Sequence, residues 1–105
     1  MVVKTLTNAI QLDNLIQSSK DTIVIDLYRQ RCGPCKKIAP KFDQLSEKYT
    51  KAKFVKIDLD ENEDVKDLFL VEAVPTFIVM QNKILKLKSR SKLTEVELFL
   101  EDVFE

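Results

Sequence analysis

Cys32-Gly33-Pro34-Cys35 contains both cysteines of the chain and its single glycine. An apolar run, Thr22 to Tyr28, precedes this stretch, and a helix-like pattern from Lys36 to Tyr49 follows it. A strand that leads into Cys-x-x-Cys at the start of a helix is typical of a dithiol/disulfide redox site. The same spacing is also half of a zinc site, so the flanking pattern is what makes the motif informative.

The first turn of a helix favours redox chemistry at such a motif. It brings the two sulfurs close enough to bridge, and Pro34 suits the turn because its missing N–H would have no partner there. Free N–H groups and the positive end of the helix dipole favour a thiolate at Cys32. Nearby positive charge acts in the same direction, and the basic side chains around the motif are Arg29, Arg31, Lys36 and Lys37.

The helical pattern separates the two thiols. One face of the predicted helix carries Cys35, Ile38, Phe42, Leu45 and Tyr49 at helical spacing. We therefore expect Cys35 to belong to a buried stripe and Cys32 to lie at the exposed tip. This asymmetry predicts that Cys32 attacks a partner disulfide and that Cys35 resolves the mixed disulfide.

Two other interpretations of the motif compete with a redox function. A structural zinc ion needs about four ligands, and the chain has no histidine and no third cysteine. A purely structural bridge would close so short a loop that it would remove little entropy from the unfolded chain. We therefore predict a reversible Cys32–Cys35 disulfide, with no bound metal or cofactor.

The chain resembles the thioredoxin family over essentially its whole length. The resemblance rests on segments in the family's order and spacing, which are Ile23-Val24-Ile25-Asp26-Leu27-Tyr28, Cys32-Gly33-Pro34-Cys35-Lys36, Pro40 and Val74-Pro75-Thr76-Phe77. It implies an α/β fold with a central mixed β-sheet flanked by helices on both faces. It also implies a protein disulfide reductase whose electron donor is an NADPH-dependent thioredoxin reductase.

Asp26 interrupts the apolar run that precedes the motif. A buried carboxylate is costly unless it is paired or protonated, and the alternative is a strand residue that faces solvent. Burial would raise the pKa of Asp26 and let it exchange protons near neutral pH. By resemblance, Asp26 lies beneath the thiols and helps to deprotonate Cys35 through water. Lys56, in the neighbouring predicted strand, either reaches Asp26 or extends into solvent.

Val74, Pro75 and Thr76 precede a predicted strand, Phe77 to Met80. By resemblance, Pro75 is cis and packs against the disulfide, and Val74 offers its backbone to an extended substrate segment. Thr76 and Arg31 are further candidates for substrate contact. Gly33 and Pro34 support the motif.

Patterns elsewhere predict the scaffold. They indicate an edge strand at Val2–Leu6, a helix capped by Thr7 or Asn8, a strand at Lys53–Leu59, a hairpin turn at Gln81–Lys83, an edge strand at Ile84–Lys88 with Leu85 and Leu87 facing inward, and a last helix with a capping box from Thr94 to Glu97.

The chain departs from the family pattern at its contact residues. Arg31 stands where the family usually has Trp, and we predict that its charge lowers the pKa of Cys32 and makes the disulfide more oxidising. Ala73 replaces a common glycine, and the loop near Ser89–Lys92 also lacks one. Arg29 and Arg31 would favour acidic partner surfaces. These departures keep open an alternative function, a binding or redox-sensing module with a specialised partner.

Length and composition set the outer limits. The 105 residues predict one domain, residues 1–105. The formal net charge of zero, from 17 basic and 17 acidic residues, gives no indication of a nucleic-acid partner. No apolar run is long enough to span a bilayer, and the N-terminal residues do not read as a secretory signal. We therefore expect a cytoplasmic, reducing location, which also disfavours an isomerase or an oxidant.

Overall fold

The structure is a computed structural model that describes residues 2–105. These residues form β1 (Val3–Leu6), α1 (Ala9–Ser18), β2 (Ile23–Tyr28), α2 (Gly33–Lys48), β3 (Lys53–Asp58), α3 (Glu63–Leu68), β4 (Thr76–Gln81), β5 (Ile84–Arg90) and α4 (Leu93–Phe104). The five strands form one sheet in the order β1-β3-β2-β4-β5. β1, β3 and β2 are parallel, and β4 and β5 are antiparallel to their neighbours, so the sheet is mixed as predicted.

Helices cover both faces of the sheet. One buried cluster contains Leu12 and Ile16 of α1 together with Val65 of α3. The other contains Phe42 and Leu45 of α2 and residues of α4. The predicted fold class is therefore confirmed.

β2 lies at the centre of this arrangement. Its neighbours are β3 and β4, and its residues from Ile23 to Leu27 are all buried. Side chains on both faces of such a strand must be apolar, which explains the near-continuous apolar run. Because side chains alternate along a strand, Asp26 lies on the same face as Val24, which packs in the cluster that α2 helps to form.

Cys32 is the N-cap of α2 and Gly33 its first residue, so the motif lies on the first turn of the helix, as predicted. Pro40 lies inside the helix. Further along, Phe42 packs against two other aromatic rings, with its centroid 5.3 Å from that of Phe54 and 5.9 Å from that of Phe77. The motif is thus attached to a helix that the core holds firmly.

The local signals elsewhere have mixed outcomes. Asn8 caps α1 by accepting a hydrogen bond from the backbone N–H of Gln11, and the hairpin turn places Asn82 and Lys83 at φ values of 49° and 68°. The predicted inward orientation of Leu85 is wrong, because it is 44% exposed on an edge strand whose register shifts next to Val79 and Met80.

The predicted capping box of the last helix is also wrong. α4 starts at Leu93, which places Thr94 inside the helix, and the N-cap residue Lys92 makes no side-chain cap hydrogen bond. Within the span from residue 2 to residue 105, no helix is both long and apolar enough to cross a membrane.

Candidate active site

Cys32 and Cys35 form a disulfide, and their Cα atoms lie 5.2 Å apart. Cys32 is the N-cap of α2, and its Sγ accepts a hydrogen bond of 3.1 Å from the backbone N–H of Cys35. A hydrogen bond to the charged form of a group stabilises that form, and so does the positive end of a helix. The geometry therefore favours negative charge on the sulfur of Cys32 when the disulfide is reduced.

Exposure does not separate the two cysteines. The expectation that Cys32 lies at an exposed tip is wrong for the disulfide form, in which Cys32 is 7% exposed and Cys35 5%. The physical reason is that the sulfur of Cys32 turns back over the helix end to bond to Cys35. The exposed residues of the motif are Gly33 and Pro34, and a Cβ at Gly33 would meet no atom within 4 Å, so this surface is open to a partner.

Asp26 is buried, as the interrupted apolar run predicted. It is 4% exposed, and its Oδ1 has no hydrogen-bond partner among the residues that the structure describes. Burial raises the pKa of Asp26 to about 7, although the positive charge of Lys56 lowers it and the negative charge of Asp43 raises it further. Asp26 can therefore hold or release a proton near neutral pH.

A cavity of about 160 Å³ connects Asp26 with one of the two cysteines. Its walls include Asp26, Cys35, Lys36 and Lys56, and they do not include Cys32. The cavity is large enough for water, which needs polar groups such as the orphan Oδ1 of Asp26 as partners. The arrangement provides a route for a proton between Cys35 and Asp26.

Lys56 lies beside Asp26 without forming an ion pair with it. The two residues are register partners on the adjacent strands β2 and β3. The ammonium group of Lys56 lies 5.9 Å from the centroid of the Tyr28 ring, and within residues 2–105 no salt bridge joins it to Asp26. Lys56 therefore acts on Asp26 through its electrostatic field, which is intermediate between the two sequence-based alternatives.

The residues before β4 bring a second segment to this edge of the sheet. The Val74–Pro75 peptide bond is cis, and Val74 is partly exposed while Pro75 is buried. Thr76, expected to contact substrate, is 1% exposed, and its hydroxyl donates a hydrogen bond of 2.6 Å to the carbonyl of Ala73. The Thr76 side chain therefore stabilises the turn and is not available to a partner.

The loop after β5 is fastened to this segment. The backbone N–H of Ser91 donates a hydrogen bond of 2.8 Å to the carbonyl of Pro75. Ser91 has a φ of 62°, a left-handed conformation that is uncommon for residues other than glycine. The chain thus keeps the loop conformation that a glycine would adopt more easily, but with a side chain present at that position.

The segment that precedes Cys32 is fixed by contacts that no local sequence pattern predicts. Arg29 forms salt bridges with Asp60 at 2.8 Å and Glu63 at 3.0 Å. The backbone N–H of Gln30 donates to Asp60 at 2.9 Å, and its side-chain amide donates to Asp58 at 2.7 Å. The hydrogen bond from Gln30 and then that from Arg29 lower the pKa of Asp60. One feature could have predicted these contacts. The parallel strands β2 and β3 end at the same edge of the sheet, so the residues that follow β2 lie next to those that follow β3.

Arg31 is exposed and forms no salt bridge with any residue from 2 to 105. It follows directly after the fixed residues Arg29 and Gln30 and directly before Cys32. Its backbone position is therefore well determined while its charge is left to solvent or to a partner.

Among residues 2–105, no group of three or more His, Cys, Asp or Glu side chains is arranged to hold a metal ion.

Comparison with known proteins gives a consistent result. The Thioredoxin family model matches residues 2–101. Thioredoxin 1 of Plasmodium falciparum is 37% identical over 81 residues, which are 77% of this chain and 77% of that protein. Thioredoxin-1 of Saccharomyces cerevisiae is 40% identical over 81 residues, 77% of this chain and 78% of that protein.

A solved structure agrees with these relatives. The crystal structure of mitochondrial thioredoxin 3 from Saccharomyces cerevisiae, in its oxidised form, is 36% identical in sequence and superposes with a TM-score of 0.87. The superposition covers 95% of this chain and 94% of that one. The similarity therefore includes the sheet, its helices and the edge at which the cysteines lie.

Proposed function

This chain belongs to the thioredoxin family and is a protein disulfide oxidoreductase, and we propose that it acts as a reductase in which Cys32 is the attacking thiol and Cys35 the resolving thiol. The observation that carries these roles is the cavity shared by Asp26 and Cys35 but not by Cys32. Cys32 has instead the hydrogen bond that favours its thiolate. Each thiol is therefore activated by a different group, Cys32 by a backbone N–H and Cys35 by the carboxylate of Asp26.

The reaction begins with the reduced protein. The thiolate of Cys32 attacks one sulfur of a substrate disulfide, that bond breaks, and the departing substrate sulfur takes up a proton. Cys32 is now joined to the substrate in a mixed disulfide. The thiol of Cys35 passes its proton to ionised Asp26 through water in the cavity and attacks the sulfur of Cys32. The second substrate sulfur leaves as a thiolate and takes up a proton, and two electrons have moved from the protein to the substrate.

The protein ends this cycle with the Cys32–Cys35 disulfide and needs a donor to reduce it. We propose an NADPH-dependent thioredoxin reductase for this step, because electrons reach the pair by disulfide exchange and the protein itself needs no bound cofactor. We also propose a cytoplasmic, reducing compartment. Its support is that both cysteines belong to the redox pair, so folding requires no structural disulfide.

A specialised binding or redox-sensing module is the second candidate function. It is favoured by the charge of Arg31, which has no salt bridge within residues 2–105, and by Ala73 and Ser91, which place side chains where a partner's backbone would approach. The two functions differ in whether the protein turns over generic disulfide substrates.

The test is reduction of insulin disulfides with dithiothreitol as the electron source. The native protein is expected to turn over, and both the Cys32→Ser and the Cys35→Ser variants are expected to lose turnover. With a disulfide substrate, Cys35→Ser should accumulate a mixed disulfide and Cys32→Ser should not. Trapping by Cys32→Ser instead would reverse the proposed roles. A native protein that alkylates quickly but does not turn over insulin would favour the specialised module.

A further inference from the structure

We propose that Arg31 and Lys36, which flank the cysteine pair, together with Lys92, select substrates that carry acidic residues next to the reacting disulfide. The proposal rests on the proposed disulfide reductase function and names its substrate class. It concerns only cations that form no salt bridge within residues 2–105, because these are available to pair with a partner's carboxylates.

Arg29 does not belong to this set. Both Asp60 and Glu63 pair with it, so its charge is already neutralised inside the protein. From the sequence alone, Arg29 and Arg31 were both expected to favour acidic partner surfaces. The structure separates them, since Arg31 follows two residues later and forms no salt bridge within residues 2–105.

Lys36 supplies a second cation on the other side of the motif, and it forms no salt bridge with any residue from 2 to 105. It directly follows Cys35, it is exposed, and it lines the cavity that reaches Cys35. The first turn of α2 contains no acidic residue, although anions are the charges that a helix N-terminus favours. The local charge pattern is therefore the opposite of what helix stability alone would select.

Lys92 supplies a third cation at the same edge of the sheet. The hydrogen bond from Ser91 to Pro75 fastens its loop to the segment before β4, and Lys92 is exposed. Thr76 pairs with Leu27 of β2 and with Arg90 of β5, which places this loop at the edge where β2 leads into the motif. As far as residues 2–105 show, Lys92 has no salt bridge either.

The acidic groups that face this region are partly paired. Asp60 pairs with Arg29 and Glu72 pairs with Arg90 at 3.3 Å, whereas Asp58 accepts a hydrogen bond from the neutral amide of Gln30 and keeps its charge. Glu61 is exposed and has no salt bridge in the same range of residues. Unpaired charge around the disulfide is therefore mainly positive, although the chain as a whole has zero formal charge.

The experiment compares two disulfide-linked peptides that differ only in the residues flanking the cysteine, Glu in one and Lys in the other. Single-turnover rate constants for the reduced protein are divided by the rate constants for dithiothreitol with the same peptide, which removes differences in intrinsic disulfide reactivity. Because charges at the rim of an interface act on association rates, the acidic peptide should be preferred about 10-fold at low salt. At about 1 M salt, where screening acts within roughly 3 Å, the preference should fall below about 2-fold.

Three variants locate the effect. Arg31→Gln and Lys36→Gln should each reduce the acidic-to-basic ratio about 3-fold. Because the ratio is taken within one variant, a change in the reactivity of Cys32 cancels. Lys51→Gln is the matched control, since Lys51 is exposed and precedes β3 at the opposite edge of the sheet, and its ratio should equal that of the native protein.

The outcomes separate this proposal from the function on which it rests. A native ratio near 1, with both peptides reduced, would overturn the acidic preference and leave the reductase intact. A preference that survives in Arg31→Gln and Lys36→Gln, or that Lys51→Gln also loses, would overturn the assignment to these residues. Failure to reduce either peptide or insulin would instead contradict the reductase function itself.

Discussion

Asp26 should make the protein less stable as the pH rises through neutrality. The pKa of Asp26 is raised from 3.8 to about 7 in the folded state. The folded protein therefore binds this proton more tightly than the unfolded chain does. The sign follows directly, because between the two pKa values only the folded state is protonated, so the free energy of unfolding falls as the pH increases.

The size of the effect follows from the two pKa values. The full difference of about 3 units corresponds to about 4 kcal/mol once Asp26 is ionised in both states. Between about pH 5 and about pH 8.5, where part of the transition has already occurred, the expected loss is about 2.7 kcal/mol. Asp26 is 4% exposed, so solvent screening removes little of it.

The assay is urea unfolding of the disulfide form at both pH values, for the native protein, Asp26→Asn and Asp13→Asn. The change in the free energy of unfolding between the two pH values should differ between native and Asp26→Asn by about 2.7 kcal/mol. Asp13 is an exposed carboxylate on α1, and its variant should follow the native protein. Parallel behaviour of native and Asp26→Asn would refute the reasoning, whatever the absolute stability of the variant.

Lys56→Met removes the cation that lowers the pKa of Asp26, so this pKa should rise above about 7 in a carboxyl NMR titration; an equal or lower value would contradict the role given to Lys56. Arg31→Trp should raise the pKa of Cys32 in the reduced protein, because it removes a positive charge next to a thiolate. The pH dependence of iodoacetamide alkylation measures this pKa. An unchanged or lower pKa in the variant would contradict the prediction. Phe42→Ala should lower the free energy of unfolding by about 3–5 kcal/mol, since Phe42 is 2% exposed and packs between two aromatic rings. Urea unfolding measures this change. A loss under about 1 kcal/mol would contradict the prediction and would mean that neighbouring side chains fill the cavity.

The sequence predicted the parts of the site that depend on local pattern. An apolar run buried on both faces indicated the central strand, and the single carboxylate within it indicated a buried acid at Asp26. The position of Cys32 at a helix start followed from Pro34 and from the helical spacing beyond it. These features survive in the structure because each is determined by a few consecutive residues.

The contacts between separate segments could not be read from the sequence. Gln30 meets Asp58 and Asp60 only because β2 and β3 are adjacent and parallel, and no local pattern specifies which loop residues then face one another. The predicted orientation of Leu85 is wrong for a similar reason. Val79 pairs with Leu87 and Met80 with Leu85, so Lys86 is an extra residue in β5 itself, and this bulge reverses the expected alternation of side chains. The burial of Cys32 depends on the closed disulfide, which spacing alone does not describe.

We propose that the two charges of the site act on different thiols. Within residues 2–105, Asp26 is buried without a hydrogen-bond partner for Oδ1 and opens onto the cavity of Cys35. In the proposed mechanism it assists the resolving step, and its burial lowers the stability of the protein above neutral pH. Arg31 is exposed and unpaired in the described part of the chain, directly beside Cys32, and in the proposed mechanism it acts on the attacking thiol and on the approaching partner. If this division is right, Asp26→Asn should slow release of the mixed disulfide without changing the preference for acidic peptides, and Arg31→Gln should do the reverse. A variant that changes both quantities together would show that the two charges act as one electrostatic unit.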